Sequence, residues 1–431
     1  MTLGDRVRVL RRRRGLTQEV VAHLVGHSER WLRDIETGAV DLRVSDAIRL
    51  ADALGVEVAN LLDDAGDARP QSADQQGGDR ANGAGRLSAG HVLHSPPTGD
   101  SLRTIDDAAW PDHERLTEAV DGSAIVDVRL TESLSCFARQ LFGLWGRVPP
   151  SDFRQLAHGL LGTLHALMGH PMPSKLRREL ESAGACTATM AGYTSSLVGR
   201  PDDAAVYLEI AERLGRDAGD AEGEALALLF SSQLYSRVCP ARPAGGDPAR
   251  AQALLEAADR RLGRTTAPVA NAWVLLRIAE ELAGRDELAA FRLIDEADRL
   301  TAGAGPNPAD GVCCRWSMNM HVAFRGNISV LAGHPTRGIP LLEAAVVALP
   351  KELVATRSMA TADLGGAYAD VGEIDHACTL LGRALGQAVA ASLPASVKRV
   401  HTVRQSRLRA HAMDAPVRHL DEMLRTTESA R

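Results

Sequence analysis

Apolar and polar positions alternate over residues 3–62 in a way that marks five short helices punctuated by glycine. Leu3, Val7 and Leu10 share one helical face, and Gly15 follows, where a glycine just past the last turn stops a helix. Thr17 is placed to cap a second helix that turns Val20, Val21 and Leu24 inward, and Gly26 makes the next turn. Ser28 caps a third helix, about Glu29–Thr37, with Leu32 and Ile35 on its apolar side and Gly38 at its end. A fourth, over about 44–54, puts Ile48, Leu50 and Ala51 inward; Gly55 follows, then a last turn around Val58–Leu62.

Apolar periodicity is absent from 63–100, where Gly, Ala, Asp, Gln and Pro predominate. Such a stretch buries too little surface to offset its ordering entropy, so residues 65–105 are expected to form a flexible tether between a head at 1–64 and a second domain at 106–431. Helical spacing resumes near Leu130–Trp145 and Ser151–Met168 and then falls into a repeat. Gly199, Gly246, Gly284, Gly333 and Gly372 serve as anchors, spaced by 47, 38, 49 and 39 residues. Five residues after them stand Ala204, Ala251, Ala289, Gly338 and Ala377; nine after, Leu208, Leu255, Leu293, Leu342 and Leu381. Twelve after stand Ala211, Ala258, Glu296, Ala345 and Ala384, where Glu296 breaks the rule and Ala297 follows it. A small–large–small stripe after a glycine turn lets two helices approach closely with leucine between them.

The head carries a family resemblance. Leu16-Thr17-Gln18-Glu19, Ala22, Gly26, Ser28, Ile35-Glu36 and Gly38, with Leu50-Ala51, Ala53-Leu54-Gly55-Val56 and Leu61-Leu62, resemble the XRE (lambda Cro/CI-type) helix-turn-helix family. The resemblance implies that the third helix enters the major groove while the second crosses the backbone. By position, Glu29, Arg30, Trp31 and Asp34 then reach toward base edges. Arg30 suits guanine O6 and N7, and Glu29 suits the amino group of cytosine. Gln18 matches the family position that meets a phosphate or the first base, and Arg33 and Arg43 are phosphate candidates. Trp31 either reads a base or pads the domain edge; Arg11–Arg14 either meet the backbone or form a solvated face.

The stripe after each anchor resembles the second helix of tetratricopeptide (TPR) repeats. Seven residues before the anchor that family prefers a small residue; Gly192, Gly326 and Gly365 match, whereas Cys239 and Arg277 depart. The expected fold class is therefore all-α: a five-helix head followed by a TPR-like α-solenoid. In such a solenoid the first helix of each pair lines the concave face, which makes Tyr193, Ser196, Gln233, Asn271, Glu281, Asn327 and Asp370 the candidate ligand contacts. An asparagine amide both gives and accepts backbone hydrogen bonds, the chemistry that would hold an extended peptide. Trp273 and Trp316 are expected in the inter-helix core. Head and repeats together resemble peptide-responsive quorum-sensing regulators of the RRNPP type, and equally actinobacterial regulators of the same build.

Charge sharpens the reading of the head. The net charge is −6 overall, yet residues 1–33 carry +5 and residues 34–64 carry −6. One basic face of this kind makes a single head a weak DNA binder, because affinity scales with the phosphates neutralised. Double-stranded DNA bearing an inverted repeat, and a second copy of the chain, are the implied partners; a peptide, small molecule or protein signal is the implied ligand. Glu29 and Asp34 repel phosphate and leave open a protein-interaction adaptor with little direct DNA readout. None of the six cysteines forms a Cys-x-x-Cys pair or a zinc-spaced Cys/His cluster, so no metal or cofactor is expected. The sequence has no phosphate loop, no Gly-x-Gly-x-x-Gly and no Gly-x-Ser-x-Gly elbow, and no enzymatic role is expected. No apolar run has the length of a membrane span, and a cytoplasmic protein is expected.

Overall fold

The computed structural model describes residues 3–13, 17–18, 21–22, 25, 27–38, 50, 54, 112–236, 238, 246–263, 267–305, 308–314 and 316–429. Among them the architecture is all-α, with no strand. Contacts divide the chain into two units, residues 1–84 and 85–431.

In the first unit, α1 (Leu3–Arg13) packs on α2 (Glu29–Thr37). The contact is close: a methyl group built on Gly4 would stand 2.4 Å from the Ile35 carbonyl oxygen, so only glycine permits this approach. Leu32 and Ile35 bury against Val7, Val21, Ala22, Val25, Leu50 and Leu54. Of the expected fourth helix only Leu50 and Leu54 are among the described residues; the expected fifth helix, Arg43 and the tether lie outside them.

The second unit opens with α3 (His113–Val120), α4 (Val128–Gly143) and α5 (Pro150–Met168). Helix pairs follow: α6 (Ser174–Leu197) with α7 (Pro201–Ala218), α8 (Ala221–Gln233) with α9 (Pro248–Leu262), and α10 (Pro268–Leu282) with α11 (Glu287–Leu300). They continue as α12 (Met318–Leu331) with α13 (Pro335–Ala348) and α14 (Val354–Asp370) with α15 (Ile374–Ala390), and close with α16 (Pro394–Arg407) and α17 (Ala415–Ser429). The small–large–small stripe is the packing surface. Gly192, Gly326 and Gly365 each lie against the leucine of the following helix; a methyl group there would meet Leu208, Leu342 or Leu381 at 2.6, 2.7 and 3.0 Å.

Two departures from even spacing have local causes. The 47-residue interval contains a long connection, 234–247, between α8 and α9, and the 49-residue interval contains an insert, 301–317, between α11 and α12. The third pair corrects the expected register. Its turn, 283–286, is one residue longer than those at 198–200, 332–334 and 371–373. The buried set is consequently Ala290, Ile294 and Ala297, each one residue later than the spacing predicts, while Ala289, Leu293 and Glu296 are only partly buried.

The array curls back on itself. α16 touches α6, Gly146 lies against the Glu352 carbonyl, and the Arg399 guanidinium donates to the Val238 carbonyl oxygen. Among the described residues no helix is long and apolar enough to cross a membrane.

Candidate nucleic-acid interface and array cavity

Helix α2 starts and stops as its sequence dictates. The Ser28 hydroxyl accepts from the Trp31 N–H at 3.3 Å, and Gly38, at φ 73°, donates its N–H to the Ile35 carbonyl at 3.1 Å. One face buries Leu32, Ile35 and Glu36; the other presents Glu29, Arg30, Arg33 and Asp34. Both acids on that face already have basic neighbours one turn away. Arg33 Nη2 lies 2.6 Å from Glu29 Oε1, and Arg30 Nε lies 4.0 Å from Asp34 Oδ2. Exposed pairs of this kind contribute about 0–1 kcal/mol, so either arginine can leave its partner for a phosphate or a guanine at small cost. Trp31 is half-buried and stacks on His27 with ring centroids 3.9 Å apart, which fits the domain-edge role.

The orientation of α2 is held by a buried carboxylate. Glu36 accepts from Arg11 Nε at 2.6 Å and Arg11 Nη2 at 3.0 Å, and from Gln18 Nε2 at 2.8 Å. Arg8 Nη2 donates to the Glu36 carbonyl oxygen at 2.8 Å. Burial pushes the Glu36 carboxyl up, but the hydrogen bonds from Arg11 and Gln18 and the charges of Arg11 and Arg8 outweigh it and hold it below the usual carboxylate range. Arg11 is thus a structural residue, neither a solvated cation nor a backbone contact, and Gln18 is tied into the same cluster. Arg12 is exposed.

Residues 2–63 match the family model of a helix-turn-helix domain. A helix-turn-helix head points to a DNA-binding regulator. No curated protein matches the chain.

In the second unit, the first helices of successive pairs line a cavity of about 160 Å³. Of the residues that sequence places on the concave face, Tyr193, Ser196, Gln233 and Asn327 line it. Three others lie elsewhere. Asn271 is buried and donates Nδ2 to the Gly263 carbonyl at 2.8 Å, tying the end of α9 to the start of α10. Glu281 accepts from the Ser236 hydroxyl beneath the wall, and Asp370 pairs with Arg407 at the rim of α14. The reason is rotational: successive helix positions differ by about 100°, so the neighbour Glu280 faces the cavity where Glu281 does not.

Sequence reasoning missed the charged members of the wall. Arg277 and Glu280, both buried, form an ion pair, and Asn327 Nδ2 donates to Glu280 Oε1 at 2.5 Å. Arg399 Nη2 lies 2.5 Å from Asp363 Oδ1 on the opposite wall. The clue was Arg277 itself, a charge at a position where three of the other pairs have glycine. Trp273 and Trp316 are buried, as their core assignment expects, yet Trp273 also forms part of the cavity wall.

Proposed function

We propose that the chain is a sequence-specific transcription regulator that works as a homodimer, with a TPR-like array that senses a signal in its cavity, holds the dimer together, or both. The observation that carries this reading is the outward face of the capped helix Glu29–Thr37 in a head that matches a helix-turn-helix domain. Glu29, Arg30, Arg33 and Asp34 stand free of the core there, with Trp31 at the edge; Gln18, bonded to Glu36, and Arg43 extend the set by sequence. Two heads on one inverted repeat raise the phosphate count that a single basic face lacks. Ligand binding would shift the array between two states and so change the spacing of the heads. The reading assigns no reaction to the chain and places it in the cytoplasm.

The test is selection of bound DNA from a random pool by the full-length protein, followed by fluorescence anisotropy of the enriched sequence against salt and by native mass spectrometry of the complex. An enriched inverted repeat, a steep salt slope and two chains per duplex are expected. A monomer with and without DNA would overturn the dimeric reading. Loss of enrichment altogether would favour the adaptor that the paired acids Glu29 and Asp34 suggest.

A further inference from the structure

The inward faces of the array do not form one continuous groove. On α6, Ser182 and Cys186 line one hollow, while Tyr193 and Ser196, farther along the same stripe, line the 160 Å³ cavity. On α8, Leu226 and Gln233 divide in the same way. Between the hollows lies the insert that joins α11 to α12. Its 3-10 turn, Pro308–Cys313, packs against α4 and α6. Val312, Cys313 and Cys314 are buried, and Trp316 meets Trp273 with ring centroids 5.3 Å apart. Gly311 and Val312 wall the far hollow, and Trp273 walls the near one. The chain's own insert therefore occupies the middle of the inward face, along the path an extended peptide would take.

The near cavity is itself compact, and it shares Trp145, Leu197 and Thr356 with a neighbouring hollow. A volume of about 160 Å³ compares with apolar cavities of about 150 Å³ that take up benzene, which sets the scale at one or two rings. Trp145, Tyr193, Trp273 and Phe324 present aromatic surface, and the thioethers of Met320 and Met359 complete an adaptable apolar wall. The lining charges are already matched, Arg277 with Glu280 and Arg399 with Asp363, so an ionic ligand would lose its hydration and find its counter-charges engaged. Uncharged polar groups are available instead. Among the described residues the side chains of Ser196, Gln233 and Thr356, all on the wall, make no hydrogen bond.

We infer that this cavity binds a small, flat, uncharged aromatic molecule of one or two rings with a polar edge, and that the insert keeps extended peptides out. The inference rests on the reading of the array as a sensor and names its ligand class.

The experiment is isothermal titration calorimetry of the full-length protein with coumarin, indole and 1-naphthol, and with a pool of blocked random heptapeptides. Saturable one-to-one binding of at least one bicyclic probe and no binding of the peptides is the expected result. Ala323→Phe, which fills the cavity from α12, should weaken that probe about tenfold or more, and Ala395→Leu should do the same from α16. Circular dichroism verifies that each variant is folded, and the two walls give independent readings. Absence of saturable binding for all three probes overturns the inference, as does binding untouched in both folded variants, or peptides that bind and compete. Operator affinity is read separately by anisotropy, so a failed sensor and a failed regulator give different patterns.

Discussion

The head and the array each hold a buried Arg–Glu ion pair, Arg11–Glu36 and Arg277–Glu280, and they use it in opposite ways. In the head, Glu36 spends its carboxylate on Arg11 and Gln18, and with Arg8 on its own carbonyl the cluster locks α2 against the rest of the domain. In the array, Arg277 and Glu280 pair beside an open space, and Asn327 adds a third member from the next pair. A saturated cluster makes a rigid frame for the exposed face of α2. A pair on a cavity wall instead sets which ligands are excluded. The difference shows that burying a charge pair says little about function until the space next to it is known.

The largest expected effect separates the two. Glu36→Ala leaves Arg11 buried without its partner and should cost the head about 3–5 kcal/mol, seen as loss of operator binding and of the head's unfolding transition while the array's transition stays in place. The same cluster predicts a pH dependence. The Glu36 carboxyl lies below its unfolded value, so its stabilisation is complete at neutral pH and is lost as pH falls through the lowered value. Acid titration of the full chain should therefore melt the head of the native protein, and a Glu36→Gln variant should lack that acid limb.

A smaller effect tests the packing of the array. Gly326→Ala puts a methyl group 2.7 Å from Leu342 Cγ and should cost about 1–3 kcal/mol through overpacking, read by urea denaturation of the array. Arg30→Ala touches no core residue and should leave stability unchanged, yet lose about 1–3 kcal/mol of discrimination at one base position. An unchanged selected sequence would count against base reading by α2. The smallest effect is expected at the surface pair. Glu29→Gln should alter stability by no more than about 1 kcal/mol and tighten DNA binding slightly, because Arg33 is then released toward phosphate.

Most of the fold was legible because it rests on local rules. Ser28 and Gly38 mark the ends of α2, and Gly192, Gly326 and Gly365 with their leucines mark close helix pairs. Legibility failed where one residue changes a phase. The extra residue in 283–286 turned α11 by one position, and Glu280 rather than Glu281 faces the cavity for the same angular reason. It failed again where distant segments meet. Nothing near Asn271 in sequence shows that its amide is needed by the Gly263 carbonyl, and nothing near Pro308 shows that the insert packs on α4 and α6. The Arg11–Glu36 pair is a third case, since its members stand 25 residues apart and look like a basic run and an ordinary surface acid.

An open stack of helix pairs unfolds piecemeal, each unit leaning only on its neighbours, and fraying from the ends costs little. The return of α16 to α6, with the Arg399 bond to Val238 spanning 161 residues, removes one of those ends. A chain closed in this way stands or falls together: deleting the last two helices should not trim the array but dissolve it, and a molecule gripped inside should stiffen every turn of the coil at once.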